Sequence, residues 1–162
     1  MSAFADWMQH FRALHERARR GELNAGEELT YQASRDELAR AMLAAQRLSL
    51  KPGETARLQL RVARALQLDL EIGGRYQRTV SLDLSAGGFS TVLAMPPGVG
   101  ESMGVTLRLP GTGPLACRAR VTDVKPQDGS ARIAAAFISL PAADLERLER
   151  FVIDAVLAIL PG

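Results

Sequence analysis

Residues 66–85 read LQLDLEIGGRYQRTVSLDLS. Leu66, Leu68, Leu70 and Ile72 alternate with Gln67, Asp69 and Glu71, the period of two that marks a half-buried strand. Gly73-Gly74 follows at once, and a two-residue glycine pair between alternating runs is a hairpin signal. The return strand alternates too. Tyr76, Arg78, Val80, Leu82 and Leu84 fall on one side, and Gln77, Thr79, Ser81, Asp83 and Ser85 on the other. This reading places Asp83 and Ser85 together on a polar, outward face.

Four further strand-like segments follow, near 88–95, 103–109, 115–124 and 130–138. Pro96-Pro97-Gly98, a run from Pro110 to Pro114 and Asp128-Gly129 separate them. Six short strands joined by such turns predict a small antiparallel barrel, in which closure removes exposed edges. Cys117 alternates with Leu115, Ala119 and Val121 and reads as a small core residue. Arg118, Arg120 and Arg132 fall on the polar faces of neighbouring strands, where solvated charge is the default and extension of a ligand surface the alternative.

Two short stretches on this frame carry chemistry. Arg57-Leu58-Gln59-Leu60-Arg61 precedes the first strand, and Asp83-Leu84-Ser85-Ala86-Gly87-Gly88 ends the second. Each has an ordinary reading, the first as solvated charges on a linker and the second as an Asx or Ser turn. In this order and at this separation, however, the pair resembles the signature of the PilZ domain, RxxxR followed by [D/N]xSxxG, over roughly residues 55–140. The resemblance implies a PilZ-type β-barrel that binds the bacterial second messenger cyclic di-GMP. It assigns Arg57 and Arg61 to the first motif and Asp83, Ser85 and Gly88 to the second, with Gly87 beside them.

The residue types suit that ligand, a dianion with two guanines. An arginine fork donates paired hydrogen bonds to a phosphate or to guanine O6 and N7, and its plane stacks on a base. Asp83 offers an acceptor to guanine N–H groups or to an arginine, and Ser85 a hydroxyl. Gly88 permits a sharp turn and close approach. Many family members carry another arginine immediately before the first motif arginine; here that position is Ala56. Arg64 is the candidate to replace it. Residues 51–62 show no clean strand or helix pattern, so the arginines are expected on a flexible lead-in able to fold over a ligand.

Helices flank the barrel. Phe4, Trp7, Met8, Phe11, Leu14 and Ala18 form one stripe ended by Gly21, predicting a first helix. Ser34 and Glu37 have capping-box spacing ahead of Leu38, Met42 and Ala45, predicting a second helix from about residue 34 to Leu48. Past Pro141, a broad apolar stripe through Leu148, Val152 and Ile159 predicts a third, set to plug the barrel or meet another subunit. The expected divisions are a helical extension over 1–52, a barrel over 53–140 and a C-terminal helix over 141–162.

Composition narrows the function. The 162 residues carry a net charge of +2. Basic residues exceed acidic ones only in residues 51–80, six against three, around the first motif. A general nucleic-acid footprint is therefore not expected, nor the interleaved basic and aromatic residues of single-strand binders. One cysteine fits a reducing compartment. His10 and His15, five apart, are expected as surface helix residues rather than metal ligands or bases. No opening apolar run reads as a signal peptide, and the run from Phe151 to Leu160 is too short to span a bilayer, so the chain is expected to be cytoplasmic. Nothing resembles a phosphate loop, nucleophile elbow or metal-ligand set, and no cofactor is expected. The reading is a non-catalytic cyclic di-GMP receptor that passes ligand binding through its N-terminal segment to an unidentified protein partner, with a homodimer plausible. The competing reading is a PilZ-like adaptor that binds no nucleotide.

Overall fold

The computed structural model describes residues 3–48 and 60–160. The chain divides into two compact units, one of residues 1–60 with 153–162 and one of residues 61–152.

In the first unit, α1 spans Ala3–Arg19 and α2 spans Ala25–Leu48, and the unit also takes the last turns of α3, Ala142–Ile159. Met8, Phe11 and Ala18 of α1 and Tyr31 and Leu38 of α2 are buried, and the rings of Phe11 and Tyr31 stack at 5.8 Å. α2 begins nine residues before the expected Ser34. Its capping box is Asn24 with Glu27: the Glu27 N–H donates to Asn24 Oδ1 at 2.8 Å, and the Asn24 N–H donates to Glu27 Oε1 at 3.1 Å. This reciprocal pair satisfies two orphan donors of the first turn. Ser34 is therefore an interior helical residue.

His15 also differs from expectation. It is buried, with Nδ1 2.7 Å from the Tyr31 hydroxyl and Nε2 3.3 Å from Asp154 Oδ1. A neutral imidazole with its proton on Nε2 satisfies both, donating to the carboxylate and accepting from the phenol. Burial lowers its pKa despite the opposing pull of Asp154. His10 is exposed, as expected.

The second unit is an antiparallel barrel of six long strands and one short extra strand. In chain order these are β1 Arg61–Val62, β2 Gln67–Ile72, β3 Arg75–Ser85, β4 Gly88–Leu93, β5 Ser102–Leu109, β6 Gly113–Gln127 and β7 Ser130–Ile138. The order around the sheet is β1-β3-β2-β5-β6-β7-β4, and β4 pairs again with β3 to close it. Gly73 and Gly74 turn the β2–β3 hairpin with φ of 58° and 81°, positive at both positions as a type I′ turn requires. Leu68, Leu70, Leu107, Leu115 and Ile133 fill the interior at 0–1 % exposure.

One facing assignment reverses. Over the first part of β3 the apolar side is outside, with Tyr76 82 % and Val80 50 % exposed, while Ser81 is 1 % exposed. Leu68 and Leu70 of β2 fix this, because their register partners are Thr79 and Gln77 and partners share a face. The inward polar groups find acceptors: the Thr79 hydroxyl donates to Val92 O and the Ser81 hydroxyl to Arg64 O. A register shift between Ser81 and Asp83, where Ser81 faces Thr91 and Asp83 faces Ser90, then turns Asp83 outward. An extra residue in one strand is a β-bulge, and such bulges re-aim side chains. The outward placement of Asp83 holds, and the bulge is its cause; Ser85, expected beside it on an exposed face, is instead buried, its Oγ taken up by the Gly87 N–H.

No helix among the described residues is long and apolar enough to cross a membrane. Cys117 is half-buried, and burial, with Asp144 nearby, pushes its thiol up to about 11.

Candidate ligand site

β1 joins the two motifs. Arg61 is the register partner of Ser85, and Val62 of Leu84, so residues far apart in sequence occupy one rung of the sheet. Val62 is buried, and this burial turns the end of the expected flexible lead-in into strand. Arg57 lies outside the described residues.

Asp83 is the centre of the cluster. Arg61 Nη1 lies 3.4 Å from its Oδ1 and Arg132 Nη2 lies 3.4 Å from its Oδ2. Both contacts sit at the long end of hydrogen bonding. The carboxylate side chain is 14 % exposed, against 37 % for Arg61 and 47 % for Arg132. Two guanidinium groups from opposite sides of β3 and β4 thus converge on one acid with most of their donors directed elsewhere. Each fork is able to bind a phosphate or a guanine edge.

The rest of the second motif is a tight backbone feature. Ser85 is buried, and its Oγ accepts the Gly87 N–H at 3.1 Å; the Gly87 carbonyl accepts the Phe137 N–H at 2.9 Å. A Cβ on Gly88 would stand 2.0 Å from the Ala135 carbonyl oxygen. The glycine is therefore demanded by the approach of β7, a reason distinct from room for a ligand. Arg64 sits in the 63–66 connection, exposed, with its carbonyl accepting from Ser81. The structure thus brings Arg61, Asp83, Ser85, Gly87 and Gly88 together and adds Arg132, which the sequence reading left among solvated charges. No local pattern distinguishes Arg132, because its link to Asp83 spans 49 positions.

The sequence profile of the PilZ domain matches residues 55–154, more than half of the chain. This chain belongs to the PilZ domain family. Solved PilZ-domain structures share its fold. The Bacillus subtilis inhibitor of motility MotI/DgrA superposes with a TM-score of 0.59 at 23 % identity, covering 69 % of this chain and 59 % of that one. The PilZ domain of Escherichia coli YcgR with c-di-GMP gives 0.54 at 15 %, covering 63 % and 92 %. The K. pneumonia MrkH–c-di-GMP complex gives 0.54 at 19 %, covering 65 % and 54 %. The chain thus matches little more than half the length of MotI/DgrA and of MrkH. Among curated proteins no sequence match was found.

Proposed function

We propose that this protein is a non-catalytic receptor for cyclic di-GMP, with Arg57, Arg61, Asp83, Ser85 and Gly88 as its binding residues and Arg64 and Gly87 as adjuncts. The observation that supports the reading most is the Arg61–Ser85 register pair, in which a residue of each motif occupies the same rung. Family membership and the ligand named in the YcgR and MrkH structures support it. Micromolar affinity requires roughly 8 kcal/mol, and hydrogen bonds to charged groups contribute about 1.5–3 kcal/mol each, so two arginines with several such bonds supply much of it. Ligand seated on Arg57 and Arg61 favours one arrangement of the segment that leads from α2 into β1. By that bias, and only to the extent that the ligand binds one arrangement better, it signals to a protein partner.

Isothermal titration with cyclic di-GMP, against GTP and cyclic di-AMP, tests the proposal. Selective binding is expected, with its stoichiometry reporting one nucleotide or a stacked pair. Replacing Arg57 and Arg61 together with Ala should weaken binding by about 100-fold or more while preserving the melting transition. Unchanged affinity in that double variant rules out the two arginines as anchors, and absence of binding by the unaltered protein leaves the adaptor reading.

A further inference from the structure

The rung of Asp83 itself contains an anomaly. Ser90 of β4 is the register partner of both Asp83 and Ala134. It is 2 % exposed, and its hydroxyl has no hydrogen-bond partner. A buried hydroxyl without a partner is uncommon and costly. The rung lies between two register shifts, one on β3 between Ser81 and Asp83 and one on β6 between Val121 and Asp123, and bulges cluster beside functional sites. β4 lies between β3 and β7. The Asp83–Arg132 pair therefore reaches across β4, over Ser90.

We infer that Arg132 is a third ligand-binding arginine of this site, and that the Ser90 hydroxyl beneath it is the hydrogen-bonding floor exposed when the guanidinium leaves Asp83 for the ligand. The inference rests on the receptor reading and extends it to β7. Arg132 stands on the side of Asp83 opposite Arg61, at the same 3.4 Å, so a cyclic bis-guanine dinucleotide at Asp83 meets a planar donor fork from each flank. The Arg132 side chain is 47 % exposed, open to a ligand from solvent.

Titration calorimetry of the full chain with cyclic di-GMP tests this, comparing the unaltered protein with Arg132→Ala, Arg132→Lys and Ser90→Ala. Arg132→Ala should weaken binding by about tenfold or more, the effect of a lost charge-assisted fork, and Ser90→Ala by about fivefold, that of one neutral hydrogen bond. Arg132→Lys keeps a cation beside Asp83 and loses the fork. It should bind nearly as poorly as Arg132→Ala. Full recovery in the lysine variant would show that position 132 only positions Asp83, and affinity within twofold in Arg132→Ala would remove it from the site; either result overturns the inference and leaves the receptor reading standing. No binding by the unaltered chain overturns both.

Discussion

The barrel holds two aspartates, each set between two arginines, and they are built differently. Asp69 on β2 takes Arg78 Nε at 2.9 Å on Oδ1 and Arg108 Nη2 at 3.2 Å on Oδ2. Arg78 is its direct register partner across the β2–β3 ladder, so regular cross-strand pairing brings the charges into contact. Asp83 follows a bulge, its register partner is a serine, and its arginines arrive at 3.4 Å from two rungs along on β1 and from across β4. The first cluster is what a ladder makes unaided. The second has longer contacts, from strands that do not pair its arginines directly with the acid, so the proposed ligand would give up less in drawing an arginine away from Asp83.

The sharpest way to break this contrast is at the glycines. Gly88→Ala drives a methyl into the Ala135 carbonyl and should destabilise the barrel by at least about 1–3 kcal/mol, seen as a lower melting temperature. Gly104→Ala, on β5 beside the Asp69 row, meets nothing nearer than Glu71 Cβ at 3.5 Å and should stay within about 0.5 kcal/mol. Next come the acids themselves. Asp83→Ala should weaken cyclic di-GMP binding by about tenfold, one charge-assisted contact, while Asp69→Ala leaves it within twofold; equal losses would erase the distinction. The smallest effect is electrostatic. Hydrogen bonding from Arg78, helped by Arg108, lowers the Asp69 pKa. A lowered folded-state pKa means that the unfolded chain binds the proton more readily, so this contribution is full above the ordinary carboxylate range and disappears as pH falls through the lowered value. Acid melts of Asp69→Asn should accordingly converge on those of the unaltered protein, and 1 M salt should shrink the difference at neutral pH.

The fold was legible where one pattern acts alone. Leu68 and Leu70, the Gly73-Gly74 turn and the stripe on α1 each state their structure locally. Legibility failed where two signals competed. Ser34 and Glu37 have cap spacing, yet Asn24 and Glu27 have it too, and the earlier pair is the one that starts the helix. On β3 the side with Tyr76 and Val80 looks like a core face, but facing is decided by the leucines of β2. His15 sits among charged residues in sequence, and its partners come from two other helices. At the site, the two motifs were readable and their meeting was not, because the Arg61–Ser85 rung is a tertiary pairing. Arg132 was one of three arginines that could extend a ligand surface, and nothing local singled it out until the fold placed it beside Asp83.

β1 has only two register pairs, Arg61 with Ser85 and Val62 with Leu84. A two-residue strand at the end of a sheet order is expected to open more often than the long ladders beside it, and each opening would take Arg61 away from Asp83. The site therefore has a clock as well as a geometry. A molecule that grips Arg61 lengthens each closed interval, and slower hydrogen exchange at the Arg61 and Val62 amides, with the β5–β6 ladder unchanged, would record its arrival.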